Sequence, residues 1–104
     1  MSEQAMKFDQ GKARWDLLPF DALDEVAKVL TFGASKYQER NWEKGLPWMK
    51  LVASTFRHLK DWILVSFKDE ESGLHPLAHC ACDVLFLLAF CLRNTPGDDR
   101  PLKI

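Results

Sequence analysis

The stretch "PLAHCACDVLFLLAFCLRN" (Pro76–Asn94) decides the fold of this 104-residue chain. Its apolar residues recur at helical spacings, Pro76 suits the first turn of a helix, and His75 just before it suits the cap. Residues 84–92, "VLFLLAFCL", are apolar on every side. Because three helices of one chain would struggle to cover such a segment, we expect a helix that is partly buried by a partner subunit.

The same helical spacing predicts two further helices, from Phe20 to about Gln38 and from Trp48 to about Phe67. The first 19 residues are polar with scattered aromatic residues, which is typical of an extended arm. We expect this arm to dock on the body through Phe8, Trp15, Leu17 and Leu18. The chain is therefore predicted to be one all-α domain over residues 1–104, a small bundle of three main helices plus an N-terminal arm. We expect the bundle to be completed by oligomerisation, as a homodimer or homotetramer.

Composition excludes several classes of protein. Hydrophobic residues make up 47% of the chain, which is too many for a disordered tail. Lys and Arg number 14 against 15 Asp and Glu, so there is no basic surplus for a nucleic-acid polymer or an acidic membrane. The N-terminus has no apolar signal core, and no apolar run approaches a membrane span. We therefore expect a soluble cytoplasmic protein with three reduced cysteines in its core.

Polar residues at positions that lean toward the core are the informative ones. His58 and Asp61 share a face of the second helix, while His75, His79 and Asp83 stand about one turn apart on the third. Antiparallel packing of these helices would bring their polar side chains together inside the bundle. Such a cluster is costly unless a divalent metal neutralises it. The spacing leaves open the alternative that His58 pairs with Asp61, and His79 with Asp83, at the surface.

A second polar group follows the first helix, in "KYQERNWEKG" (residues 36–45). Its members are Lys36, Tyr37, Asn41 and Trp42. The two rings could stack on a base, the amide could bond the edge of that base, and the lysine could meet a phosphate. The alternative is that the rings form the rim of the core and the lysine is solvated. Lys12 and Arg14 of the arm could likewise bind phosphate oxygens or only water.

These residues lie in four segments that together resemble a known family. The segments are "KFDQGKARWDLLP", "VAKVLTFGASKYQERNWEKG", "FRHLKDW" and "DEESGLHPLAHCACDVLFLLAF", in that order over about residues 7–93. The family is described as dATP/dGTP diphosphohydrolase, N-terminal; it is MazZ-like and related to the MazG-like all-α nucleoside triphosphate pyrophosphohydrolases. The resemblance implies metal-dependent hydrolysis of a purine deoxynucleoside triphosphate, dGTP or dATP, to the monophosphate and pyrophosphate. That activity would serve the nucleotide pool, in the host cytoplasm if a phage encodes the chain.

The resemblance also implies roles for individual residues. The expected catalytic residues are Glu71, His79, Asp83 and His58. The expected ligands of a divalent ion, Mg²⁺ or Mn²⁺, are Glu71, His79 and Asp83 with His58 or Asp61, of which Asp61 rests on its spacing from His58 and not on the resemblance. The expected substrate-binding residues are Lys12, Arg14, Lys36, Tyr37, Asn41, Trp42 and Arg57. The chain departs from MazG-like enzymes because it lacks their paired Glu-x-x-Glu and Glu-x-x-Asp motifs.

Two rival functions remain open from the sequence. An HD-type phosphohydrolase also uses His and Asp on helices, but this chain has no adjacent His-Asp pair. A non-catalytic helical module that binds nucleotides or another protein is favoured by the scarcity of carboxylates at the expected ligand positions.

Overall fold

The computed structural model describes residues 3–64 and 67–102, and this part of the chain is helical with no strand. The three helices are α1 (Phe20–Lys36), α2 (Trp48–Leu64) and α3 (Pro76–Arg93). Short 3₁₀ turns precede α1 and α2, at Trp15–Leu17 and Asn41–Lys44. The all-α prediction with three main helices is confirmed. The predicted end of the second helix at Phe67 is too late, because Phe67 lies in a bend; residues 65 and 66 lie outside the described residues.

Both ends of α3 are capped, the first by a side chain and the last by the backbone conformation of the C-cap residue. The Nδ1 atom of His75 accepts a hydrogen bond of 3.1 Å from the backbone N–H of Leu77, ahead of Pro76 in the first turn. At the other end Asn94 takes the left-handed conformation, with a φ of 54°, which is common at the end of a helix. His75 is therefore the N-cap that the sequence suggested, and it faces the start of α3.

The core forms where α3 packs against both other helices. One cluster joins α1 to α3 through Val26, Val29, Ala78 and Cys82. A second cluster joins α2 to α3 through Trp48, Leu51 and Phe90, and Phe86 packs against both clusters. Helices α2 and α3 are antiparallel, since Leu51 near the start of α2 meets Phe90 near the end of α3. The backbone carbonyl of Thr55, one turn later on α2, accepts a hydrogen bond from the Cys80 thiol.

The N-terminal arm does not dock on the body of this chain. The side chains of Phe8 and Trp15 are 80% and 71% exposed. From residue 3 onward the arm is organised by local contacts, among them a turn in which Lys12 N–H donates to Asp9 O and an ion pair between Arg14 and Asp16. The prediction that its apolar residues cover the bundle is therefore wrong for the isolated chain. The radius of gyration is 17.7 Å, against about 13 Å for a compact domain of this length.

Helix α3 leaves one side uncovered. Its 18 residues have a mean hydropathy of 1.6 and only 28% of them are buried, so by length and composition it could cross a membrane. The expectation that no apolar run approaches a membrane span is therefore wrong on those two criteria. Its packing against α1 and α2, with His79 and Asp83 on the packed side, is that of a core helix whose outer face is exposed.

The cysteines are free, and they differ in burial. Cys82 is in the core, where burial raises the pKa of its thiol to about 12, so it acts as a small apolar residue. Cys80 is half-buried and Cys91 is exposed, so the prediction of core positions holds for Cys82 and is wrong for Cys91.

Candidate functional site

A cleft of about 1030 Å³ opens between α1 and α2, with one side of α3 as its floor. The floor residues, His79, Cys82, Asp83 and Phe86, recur at intervals of three, one and three along α3, so they share one face of the helix. Helix α1 and the turn after it form one wall, and α2 forms the other. The cleft therefore collects most of the polar residues that the sequence marked as functional.

Two histidines stand at one end of this cleft. The rings of His58 on α2 and His79 on α3 are stacked, with centroids 4.5 Å apart and an angle of 13° between their planes. This contact confirms that antiparallel packing brings the polar faces of the two helices together. Among the described residues, the carboxylate that lies near both histidines is that of Asp69, and neither histidine forms an ion pair with an aspartate of its own helix.

Asp69, in the loop between α2 and α3, faces both histidines. Its Oδ1 atom lies 3.6 Å from Nδ1 of His58, and its Oδ2 atom lies 3.8 Å from Nε2 of His79. Oδ2 also accepts hydrogen bonds from the backbone of Glu71 and from the backbone and hydroxyl of Ser72. The Ser72 hydroxyl in turn lies 2.7 Å from Nε2 of His79. The loop and His79 thus form one hydrogen-bonded unit, and the His58 ring stacks on it.

Asp83 projects from α3 into the cleft, and its Oδ2 atom is buried with no hydrogen-bond partner in the described part of the chain. Burial raises the pKa of this carboxyl, although hydrogen bonds from Ser54 and Thr55 and the nearby His58 act in the opposite direction. A buried carboxylate oxygen without a partner is costly for the free protein, and a cation or a donor group of a ligand that reached it would remove this cost.

Burial and neighbouring groups shift the pKa values of His79 and Asp69. Burial and the neighbouring His58 lower the pKa of His79, which favours a neutral ring near pH 7. Burial acts to raise the pKa of Asp69, but hydrogen bonds from Ser72 and the charges of the two histidines outweigh it, and the pKa is lowered. The site therefore places an ionised carboxylate beside an imidazole that can accept a proton or donate a lone pair.

Glu71 and Lys36 form an ion pair that joins the loop to the end of α1. The Lys36 ammonium also lies 5.0 Å from the centre of the Tyr37 ring, and all three residues line the cleft. The carboxylate expected to bind a metal and the cation expected to bind a phosphate thus neutralise each other in the free chain.

The other end of the cleft is aromatic. The Trp42 indole stacks on Phe86 with ring centroids 4.4 Å apart, and the Arg93 guanidinium lies 5.3 Å from the Trp42 ring centre. Phe86 follows His79 by seven residues, about 10 Å along the helix axis. One side of Trp42 is thus part of the core, as the alternative interpretation of this residue had it, while Trp42, Tyr37 and Asn41 line the cleft.

The structure brings most of the predicted residues together and leaves three outside. Glu71, His79, Asp83, His58, Lys36, Tyr37, Asn41, Trp42 and Arg57 line the cleft. Asp61 does not, because it lies on the exposed side of α2, so the structure does not bring this predicted ligand to the others. Lys12 and Arg14 stay on the undocked arm, so the chain does not bring them to its own cleft.

Asp69 is the site residue that sequence reasoning missed. It was visible only as one acid among three in the loop "DEES" (residues 69–72). The available signal was an aspartate three residues before a serine and four before Gly73, which has a φ of 74°. That pattern is typical of a turn closed by an aspartate side chain.

The predicted ligands do not form a closed metal site in this structure. Within residues 3–64 and 67–102, no three His, Cys, Asp or Glu side chains are grouped so as to hold an ion. The lone pairs of a histidine lie in the plane of its ring, so two nearly parallel stacked rings cannot converge on one ion. The unpaired Oδ2 of Asp83 does fit Mg²⁺, which is commonly held by one or two carboxylates together with substrate phosphates and water.

Comparisons with known proteins agree with the resemblance seen in the sequence. Residues 2–100 match the family described as dATP/dGTP diphosphohydrolase, N-terminal. A protein of Salmonella phage PMBT28 named dATP/dGTP diphosphohydrolase is 40% identical over 96 residues. The aligned region is 91% of this chain and 32% of the phage protein, so the chain spans about a third of the length of that relative. No solved structure matches the chain significantly.

Proposed function

The chain belongs to the dATP/dGTP diphosphohydrolase, N-terminal family, and on that premise we propose that its cleft hydrolyses a purine deoxynucleoside triphosphate to the monophosphate and pyrophosphate. The observation that carries this proposal is the division of the cleft into an aromatic end and an ionisable end, about 10 Å apart along α3. A nucleotide has the same division, with an aromatic base at one end and phosphates at the other. The relative named dATP/dGTP diphosphohydrolase supports dGTP and dATP as the substrates.

In this proposal the base lies at the aromatic end. Tyr37 is 64% exposed and lines the cleft beside Lys36, so its ring is available for stacking on a purine whose phosphates meet that lysine. Asn41 offers a donor and an acceptor to the edge of the base. Trp42 supports the base from the side, because its contact with Phe86 fixes the plane of the indole before any ligand arrives.

The phosphates lie at the ionisable end. Arg57 and Lys36 line this part of the cleft and offset the negative charge that grows on the leaving pyrophosphate. Lys36 must exchange its Glu71 partner for a phosphate oxygen, which frees the Glu71 carboxylate. His58 or His79 accepts the proton of the attacking water, which neutral imidazole does well near pH 7.

We further propose that the reaction needs a divalent ion, Mg²⁺ or Mn²⁺, held by Asp83 and Glu71 with a histidine, His79 or His58. When bound, the ion would polarise the phosphate oxygens and the attacking water. The chain's own part is to present these ligands: the Oδ2 atom of Asp83 is buried but has no competing partner among the described residues, whereas Glu71 must first leave Lys36.

We also propose that the active form is a homodimer or homotetramer. The outer face of α3 exposes Val84 and Leu88, and the neighbouring α2 exposes Phe56 and Ile63. Apolar side chains at this density are more typical of a subunit interface than of a monomer surface. A partner subunit on this side would bury α3 without covering the cleft on its other side.

The test is turnover of dGTP and dATP with Mg²⁺, with Mn²⁺ and with EDTA, following every phosphate product. We expect monophosphate and pyrophosphate in metal, and no turnover in the chelator. Orthophosphate as the first product, or full activity in EDTA, would refute the proposal. Release of tripolyphosphate would select the HD-type reaction, and binding of dGTP without turnover in either metal would select a non-catalytic module.

A further inference from the structure

We infer that Asp69 is a positioning residue that holds His58 in the tautomer with its ring proton on Nδ1, so that Nε2 presents a lone pair to the cleft. The importance of this lone pair for turnover rests on the proposed function. The tautomer itself does not, because it follows from the contacts of Asp69 in the free chain.

The two oxygens of Asp69 serve different partners. Oδ2 accepts hydrogen bonds of 3.1, 2.9 and 3.1 Å from Glu71 N, Ser72 N and Ser72 Oγ, and these bonds shape the loop. Oδ1 lies 3.6 Å from Nδ1 of His58, and the two side chains are only 15% and 20% exposed. One carboxylate therefore holds the loop with one oxygen and faces the imidazole with the other.

The environment of His58 Nδ1 favours the tautomer with the ring proton on this nitrogen. This atom is buried, and none of the described residues makes a hydrogen bond with it. Two acceptors that face each other with lone pairs repel, whereas an N–H that faces a carboxylate oxygen is attracted. The separation of 3.6 Å is too long for a hydrogen bond, but a small rotation of the ring closes it, and such contacts often tighten only when substrate binds.

A proton on Nδ1 determines the state of Nε2, the nitrogen on the opposite side of the His58 ring. With the proton on Nδ1, Nε2 keeps its lone pair, and that lone pair is needed whether His58 takes a proton from water or binds a cation. Asp69 would then control a reacting group without touching the substrate itself.

The loop role and the positioning role of Asp69 can be separated by two substitutions. In Asp69→Asn the amide oxygen can take the place of Oδ2 and keep the three loop bonds, and the amide N–H then points at His58 Nδ1. A donor at that position forces Nδ1 to accept and moves the ring proton to Nε2. Ser72→Ala is the matched control, because it weakens the loop and leaves a carboxylate opposite His58.

The experiment is ¹⁵N NMR of the histidine rings in the wild type and both variants, at a pH where the rings are neutral, with His58 assigned from His58→Gln. We expect the Nδ1–H tautomer of His58 in the wild type and in Ser72→Ala, and the Nε2–H tautomer in Asp69→Asn. With dGTP, Asp69→Asn should lower kcat by about 10- to 100-fold with little change in KM.

A wild-type His58 with its proton on Nε2 would overturn the inference, and so would ring signals that Asp69→Asn does not change. If Asp69→Asn does not fold, the tautomer of His58 in the wild type still tests the inference. Loss of the Nδ1–H tautomer of His58 in Ser72→Ala as well would show that Asp69 acts only through the loop. The ring signals need no substrate, so a wild type that hydrolyses no nucleotide refutes the proposed function separately.

Discussion

Replacing Asp83 by Asn should make the protein more stable and abolish the proposed activity. The Oδ2 atom of Asp83 is buried without a partner among the described residues, and burial raises the pKa of this carboxyl. A buried polar group with no partner costs about 1–3 kcal/mol. The amide that replaces it is still polar and keeps part of that cost, so we expect a gain of about 1 kcal/mol at pH 7. For a domain near this size that is about 4–8 °C in Tm.

The pH dependence of this gain has a definite sign. A carboxyl whose pKa is raised by folding is protonated in both states below its unfolded pKa, about 3.9, and there it costs no ionisation penalty. The penalty grows as pH rises from the unfolded pKa to the folded pKa, and it stays at its full value above the folded pKa. The difference in stability between Asp83→Asn and the wild type should therefore be small near the unfolded pKa and full at pH 7.

The assay is urea unfolding of both proteins at about pH 4 and pH 7, in EDTA and at one protein concentration. Asp61→Asn is the matched control, because Asp61 is an exposed carboxylate outside the cleft. It should leave both stability and dGTP turnover unchanged. An Asp83→Asn protein that is less stable than the wild type at pH 7, or a gain that is equal at both pH values, would refute this account of the site.

His75→Ala should lower Tm by about 4–8 °C, because it removes an N-cap worth about 1 kcal/mol. The kcat for dGTP should stay unchanged. Loss of turnover in a folded variant would give His75 a role in the site. Arg57→Gln should raise KM for dGTP at least as much as it lowers kcat, because an exposed cation that lines the cleft attracts the phosphates both in the bound substrate and in the transition state. An unchanged KM in steady-state assays would remove Arg57 from the binding residues. Leu88→Lys should shift the protein to monomer in light scattering, because a charge in the centre of an apolar interface is desolvated without a partner; an unchanged mass would exclude this face as the interface.

The sequence predicts the fold well because its signals are local. Apolar spacing, the proline at position 76 and the cap at His75 each act within a turn or two of helix, so they mark the helices without knowledge of the rest of the chain. The pairing of His58 with His79 followed from the same spacing, since a short connection makes α2 and α3 antiparallel. The end of the second helix was placed late because the apolar pattern continues into Phe67 after the helix has ended.

The rest of the site could not be predicted, because it depends on long-range contacts and on loops. Asp61 has the right spacing to His58 for a shared face, but a spacing of three also allows the two side chains to diverge, and here Asp61 is exposed. Asp69 has no periodicity that marks it, since its importance comes from a turn that carries it back to both histidines. The apolar arm was expected to dock, but hydrophobicity does not specify which surface an arm covers.

Helix α3 links the stability of this chain to its proposed chemistry. The face toward the cleft carries Asp83, whose unpaired oxygen is costly until a ligand or cation meets it. The opposite face carries Val84 and Leu88, which remain in water until another surface covers them. Both faces therefore lower the stability of the isolated chain, and each is relieved by a different kind of binding. Since either binding event favours the folded state, substrate and partner subunit should both raise its stability, through opposite sides of one helix.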